Sequence, residues 1–408
     1  MTPNRERLVL TVITLVILGV FWMALGADFL ANESYDYRCC YEPAARNWMS
    51  GKGFAYNDGN FASAYPPGFS VLLAGVFLIG KVIGDGSALY GFIALCTIAS
   101  VLAMYSIGRA MGGVWLGRIS ALCLMTYPYF LWMSKQPNSE VPYLALILWA
   151  FYAFVRLLKE ASLKWAALCG AFLALSALVR PISIFAAFIM AGCLLLFVRN
   201  RPLTQRLLLG VVLVAANIAT IMPWEIIAKQ GTGRWILIGN NSGVGYYDGL
   251  TFGLPNPARP ASQVPPDVLA LMQRADAQAE RISTSGGYLS FLKEEAQSHP
   301  AAFARLMYIK ITRAWYATYE GRFESINKLV EGAYILATLA GLWLMRRKLP
   351  VEAWTIVAMV LYYWAMSVLV LPILRYMVPA TALMLLAVAF LLRAMAERWG
   401  LLRGYTGK

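Results

Sequence analysis

The feature that most limits this chain is a series of apolar runs with no charged residue inside them. They lie at 8–27, 86–108, 119–134, 141–155, 165–179, 181–198, 207–224, 332–345, 353–374 and 376–392. A helix crosses the hydrocarbon core of a bilayer in roughly 20 residues, and in fewer where flanking Arg and Lys snorkel to the interface. Composition closes the soluble alternative. With 60% hydrophobic and 14% charged residues, the chain has too little charge to cover a water-facing surface. The expected fold is an all-α polytopic membrane protein of about ten transmembrane helices, and disordered or disulfide-scaffold readings fall away.

The chain has 35 Lys+Arg against 21 Asp+Glu, a formal charge of +14. In a membrane protein such an excess reports orientation before it reports a partner, and no nucleic acid is implied. An eleventh apolar run, 69–83, decides the parity. If it does not span and Arg5 and Arg7 are cytoplasmic, the short cytoplasmic loops hold Arg109 with Arg118, then Arg156, Lys159 and Lys164, then Arg199, Arg201 and Arg206, then Arg346, Arg347 and Lys348. The tail adds Arg393, Arg398, Arg403 and Lys408, whereas the outer short connections hold single charges at Lys135, Arg180 and Arg375. If 69–83 spans, the clusters face the wrong side. The run is therefore expected in the membrane plane, with both termini cytoplasmic and two long loops outside, 28–85 and about 227–325. Three parts follow: an N-terminal module 1–226, the second outer loop 227–325, and C-terminal helices with a tail, 326–408. Run 8–27 ends Ala24-Leu25-Gly26, like a cleavage site, but it exceeds a signal core and nine runs follow, so an uncleaved anchor is expected.

In the first outer loop, apolar positions 41, 44, 45, 48 and 49 have helical spacing, with Gly51 and Gly53 placed to stop the helix. Tyr65-Pro66-Pro67-Gly68-Phe69 fixes a rigid turn that opens the in-plane run. In the second outer loop, 232–243 has strand-like residues between turn formers, and 254–266 is Pro-rich and irregular, suited to a flap. Stretches 267–282 and 287–297 read as polar helices, and 303–316 as a basic amphipathic helix suited to an anionic membrane surface. Cys96, Cys123, Cys169 and Cys193 lie in apolar runs as small hydrophobes. Cys39 and Cys40 are adjacent, and a bridge between neighbours is strained, so two free thiols are expected.

Several pieces in order carry a resemblance: an acidic residue in the first outer loop, Ala45-Arg46-Asn47, Gly51-Lys52-Gly53-Phe54, Tyr65-Pro66-Pro67-Gly68-Phe69, Val179-Arg180-Pro181, Pro223-Trp224, Asn241-Ser242-Gly243, His299-Pro300 and Arg375-Tyr376-Met377-Val378-Pro379. Together they resemble the GT-C superfamily of membrane glycosyltransferases, nearest to bacterial relatives of the dolichyl-phosphate-mannose protein mannosyltransferases and the aminoarabinose lipid A transferases. The resemblance implies a transmembrane module with in-plane helices in the first outer loop. It also implies a sugar donor linked to a polyprenyl phosphate, and a catalytic carboxylate in that loop.

Asp36 is the candidate for that carboxylate. A polyprenyl phosphate is a good leaving group, so a base that deprotonates the acceptor suffices, with inversion at the anomeric carbon. Glu33, Glu42 and Asp58 stand behind it. Glu140 opens a span on the outer side, placed either to orient substrate or to complement a helix dipole. Arg375 stands alone before Tyr376 and suits either a donor phosphate or interface snorkelling. Arg180 has the same two readings, with snorkelling favoured. Arg46 and Lys81 are further phosphate candidates, Tyr65 is expected to shape the cavity, and Asn240 and Asn241 are expected at a turn or against sugar hydroxyls. His299, before Pro300, reads as a helix start. One histidine and no Cys-x-x-Cys make a transition-metal site improbable, so no cofactor is expected, with a divalent metal left open. No phosphate-loop glycine pattern points to a nucleotide.

The expected protein is thus a bacterial inner-membrane glycosyltransferase that moves a monosaccharide from a polyprenyl-phosphate donor to an outer-face acceptor, among membrane lipids. Two rivals remain at this point: a non-enzymatic transporter or flippase of lipid-linked sugar, and a polysaccharide polymerase or ligase. Transporters often carry repeats and mid-span acids. The uncharged runs contain no acid.

Overall fold

A backbone in hydrocarbon must satisfy its own polar groups, and the apolar runs are accordingly mostly helix. The computed structural model describes residues 2–26, 33–240, 242–257, 259–346 and 351–399. Helix α1 (Pro3–Ala24) is followed by a π-helical turn, Tyr37–Tyr41, that runs directly into α2 (Glu42–Met49). Helices α3 (Pro67–Ile83) and α4 (Asp85–Gly112) form a hairpin through Gly84, whose φ of 86° suits glycine. Then come α5 (Val114–Met125), the short α6 (Pro128–Met133), α7 (Glu140–Glu160), α8 (Leu163–Val179), α9 (Ala186–Phe197) and α10 (Leu203–Thr232). The long connection expected as the second outer loop holds α11 (Ser242–Thr251), α12 (Pro266–Asp276), α13 (Ala279–Ile282), α14 (Ser285–Ser298) and α15 (Pro300–Arg313). Helices α16 (Glu324–Met345), α17 (Val351–Leu369) and α18 (Val378–Arg398) follow. Seven of these are long and apolar enough to cross a membrane: α1, α4, α7, α10, α16, α17 and α18. This is a multi-pass membrane protein.

Helices α7 and α18 are the most buried of the seven, and Leu144, Phe151, Phe154, Leu383 and Leu386 on them are fully buried. Helix α1 is peripheral and is tied down by charge: Glu6 pairs with Arg118 at 2.7 Å and accepts from the Tyr105 hydroxyl. The second outer loop has its own core of Leu250, Val268, Leu271, Met272, Phe291 and Leu306. The helices expected around 41–49, 69–83, 267–282 and 287–297 are present, and Gly51 and Gly53 take positive φ after α2. Asn241, Arg347, Lys348, Arg403 and Lys408 lie outside the described residues.

Four sequence expectations are corrected. Helix α10 does not stop at Pro223 but continues to Thr232, and 233–240 forms no strand. The α10 extension holds that segment itself: Trp224 Nε1 donates to the Ile238 carbonyl at 2.8 Å, and the Ile238 N–H donates to Glu225 at 2.7 Å. Hydrogen bonds that a strand partner would supply come from one helix face. Cys39 and Cys40 are joined to each other within the π-turn, whose ends are fixed by buried Tyr37 and Tyr41. Helix α16 begins eight residues before the uncharged run it contains, so Glu331 is buried among helices, accepting from Tyr127 at 2.5 Å and Thr381 at 3.4 Å.

The fourth correction concerns α15. Its basic residues do not form an outward stripe, because Lys310 is fully buried and Arg313 nearly so. Arg305 alone of the three is at the surface, paired with Asp267. Among the described residues the Lys310 ammonium reaches only the Leu369 carbonyl, at 3.5 Å, and burial pushes its pKa down to about 7. Below that pH the folded state must hold a buried charge that the unfolded state solvates, and above the ordinary lysine range neither state is charged. Lys310→Met is therefore expected to raise the melting temperature most below pH 7. The gain should fade as the pH rises toward 10, and melting curves across that range check it.

Candidate active site

Asp36 sits immediately before the π-turn, and two groups hold its carboxylate. Tyr65 donates its hydroxyl to Oδ1 at 3.0 Å, and Arg375 Nη2 meets Oδ2 at 2.9 Å. The Tyr65 ring is fixed by Tyr41, 5.2 Å away between centroids, and Tyr41 in turn packs edge-on against Phe69 in the first turn of α3. The Tyr-Pro-Pro-Gly turn carries Tyr65 to Asp36. Burial first, and then the Asp36 charge, raise the Tyr65 hydroxyl far above the phenol range, so it remains a donor.

Arg375 lies in the 3₁₀ turn Leu374–Tyr376 ahead of α18, and its Nε also meets Glu140 Oε1. Glu140 is the first residue of α7. Asn138 Oδ1 accepts from the backbone N–H groups of Glu140 and Val141 at 3.1 and 3.3 Å, which fixes this helix start. Arg180, just past the end of α8, pairs with Glu140 at 2.5 Å, hydrogen-bonds Ser139 at 3.0 Å and lies 5.1 Å from the Tyr376 ring. The result is an alternating chain, Asp36–Arg375–Glu140–Arg180. A lone buried carboxylate such as Glu140, 3% exposed, is untenable without such partners. Asp36 terminates the chain and is its accessible acid, with its side chain 27% exposed.

The structure therefore brings Asp36, Tyr65, Glu140, Arg375 and Tyr376 together. Arg180 belongs with them and does not snorkel; Pro181 ends α8 and turns the guanidinium inward. Ser139 and Asn138 are further members that the sequence did not mark. Other candidates lie elsewhere. Arg46 pairs with Glu42 at 2.7 Å and Asp85 at 2.8 Å over the Phe77 ring. Lys81 is exposed at the end of α3. Asn240 has an exposed side chain and ties the two outer loops through its N–H to the Ser63 carbonyl at 2.9 Å. Of the reserve acids, Glu33 pairs with Arg38 and Asp58 binds Asn60. His299 precedes α15 and pairs with Glu295.

The helical fold has counterparts among solved structures. The oligosaccharyltransferase AglB from Archaeoglobus fulgidus, in complex with an inhibitory peptide and a dolichol-phosphate, matches with a TM-score of 0.61 at 14% identity, over 99% of this chain and 53% of that one. The same enzyme in its apo form matches with a TM-score of 0.63 at 13% identity, over 97% and 51%. ArnT from Cupriavidus metallidurans bound to undecaprenyl phosphate matches with a TM-score of 0.46 at 14% identity, over 97% and 80%. The fold is shared with these AglB oligosaccharyltransferase structures. Within that fold, residues 64–226 match the family model described as dolichyl-phosphate-mannose-protein mannosyltransferase. The chain spans about half the length of the oligosaccharyltransferase structures it matches. No curated protein sequence matches it.

Proposed function

We propose that this protein is a glycosyltransferase that moves a monosaccharide from a polyprenyl-phosphate donor to an acceptor at the outer face of a bacterial inner membrane. Both termini would be cytoplasmic, and α3 would lie in the membrane plane. The observation that carries the reading is the Asp36 carboxylate, accessible at one edge and aligned by Tyr65 and Arg375. The dolichol-phosphate bound by the structurally similar AglB supports a lipid-phosphate donor.

In the reaction, Asp36 takes the proton of an acceptor hydroxyl or amine. The acceptor atom bonds to the anomeric carbon from the face opposite the phosphate. The bond from that carbon to the phosphate oxygen breaks, and polyprenyl phosphate leaves with the electron pair, so the configuration inverts. Arg375 is bound to the base before substrate arrives. A donor phosphate drawing on the same guanidinium would loosen its hold on Asp36 and release the base when the donor is seated.

The test is the purified protein with a panel of polyprenyl-phosphate monosaccharides and membrane-derived acceptors, following release of polyprenyl phosphate and acceptor labelling together. Coupled appearance of both is expected with one donor. Movement of intact donor across vesicles without release would assign a flippase instead.

A further inference from the structure

The bond between Cys39 and Cys40 lies three residues beyond Asp36, inside the turn that Asp36 opens, and the proposed reaction does not use it. That turn is one residue wider than an α-helix. The Glu42 N–H donates to the Tyr37 carbonyl, five residues back, whereas the Arg38 N–H donates to the Ser34 carbonyl, four back, at 3.3 Å. Single wide turns of this kind are rare and gather at functional sites. Successive side chains of a regular α-helix diverge by about 100°, so neighbouring cysteines there point too far apart to join. A covalent link between residues 39 and 40 therefore keeps this turn out of the α-helical register.

The two sides of the turn are anchored differently. Downstream, Ala44 and Ala45 of α2 are buried, Arg46 pairs with Asp85 at 2.8 Å, and Asn47 Nδ2 donates to the Ala55 carbonyl at 2.9 Å. Upstream, Asp36 is held by its own carboxylate on Tyr65 and Arg375, and Cys39 Sγ lies 3.8 Å from its carbonyl oxygen. Tightening the turn by one residue would leave α2 in place and rotate Asp36 by about 100° around the helix axis, away from both partners. Tyr37, 2% exposed, would turn out of its pocket with it. The sulfurs can be reached, because Cys39 and Cys40 are only half-buried, and accessible disulfides are the ones that exchange. Cys169 and Cys193 are buried, and Cys96 and Cys123 lie within α4 and α5.

We propose that the Cys39–Cys40 disulfide is a redox latch on Asp36. Closed, it holds the turn wide and the carboxylate on Tyr65 and Arg375. Opened by a dithiol, it lets the turn tighten and swings the carboxylate off them. In the opening step one thiolate of the dithiol attacks a sulfur of the pair and breaks the bond, forming a mixed disulfide. The second thiolate then closes the reductant's own disulfide, and Cys39 and Cys40 are left as thiols, having gained two electrons and two protons. The latch rests on the reading above only in making Asp36 the base, and the position of the turn can be read without sugar transfer.

The experiment uses the full chain in three forms: untreated, reduced with dithiothreitol and capped with iodoacetamide, and carrying Cys39→Ser with Cys40→Ser. Each is nitrated with tetranitromethane, and Tyr37 is compared by mass spectrometry with Tyr35, which is 79% exposed and serves as the reference in the same peptide. Nitration of Tyr37 relative to Tyr35 is expected to rise at least tenfold in both open forms, while hydrogen exchange of α2 and α3 stays as in the untreated protein. If the double variant does not fold, the reduced parent decides alone. Cysteines that alkylate without reductant, or a Tyr37 as protected in the open forms as in the closed one, overturn the proposal. So does a loss of α2 protection alongside Tyr37, which would make the bond a staple and not a latch. In a preparation that transfers sugar, opening should also cut the rate at least tenfold; unchanged transfer with Tyr37 exposed keeps the latch and removes Asp36 from the reaction.

Discussion

Asp36→Asn is expected to lower the rate of sugar transfer by about 10²–10⁴-fold, the span that a positioned general base supplies, while the protein inserts and folds as before. The geometry explains why the two effects separate. An asparagine oxygen can still accept the Tyr65 hydroxyl, and Arg375 keeps Glu140. The pair lost is between side chains 28% and 27% exposed, where solvent takes up most of the difference. The substitution also removes the carboxylate that competes for Arg375, so donor binding should be unchanged or tighter while turnover falls. Equilibrium binding and single-turnover transfer of the same polyprenyl-phosphate sugar separate the two. A variant that turns over normally removes Asp36 from the mechanism.

Much of this was legible in the sequence, because hydrocarbon leaves the backbone few options. The uncharged runs became mostly helix, and the two prolines before Phe69 opened α3 where their fixed φ predicts. Errors arose where tertiary partners override local preference. Residues 233–240 carry the apolar and turn-forming residues of a strand, but Trp224 and Glu225 on α10 consume the hydrogen bonds of Ile238. Lys310 and Arg313 share the spacing of a membrane-facing stripe, and no sequence period distinguishes that from a buried face packed under the 369–374 loop.

The site was legible in pieces. Lys135, Arg180 and Arg375 are single charges in short connections that otherwise lack basic residues, and two of the three pair into the Asp36–Glu140 cluster. Their assembly was not legible, since Asp36, Glu140, Arg180 and Arg375 come from four connections that only the fold unites. Arg375 did need an anion, as its isolation implied. In this state the anions are Asp36 and Glu140.

Glu140 is where stability rather than chemistry should fail. Glu140→Gln keeps size and hydrogen-bonding capacity but removes the one negative charge between two guanidiniums, at a position 3% exposed. Arg180 is left buried without a carboxylate, and Arg375 keeps only Asp36. Stranding a buried partner in this way costs about 3–5 kcal/mol, a large share of the roughly 5–15 kcal/mol that holds a typical domain folded. The expected result is a sharp fall in folded yield and melting temperature, read by size-exclusion fluorescence on heating. Adding Arg180→Met should restore much of the loss, because one cation leaves with the anion and Arg375 retains Asp36; the two changes are coupled through one network and will not add. A purely substrate-binding Glu140 predicts the opposite pattern, with Glu140→Gln melting like the parent and the double variant gaining nothing. The contrast with Asp36→Asn then assigns the two carboxylates of one cluster to different work: the buried acid holds two arginines in place, and the exposed acid uses the alignment they give it.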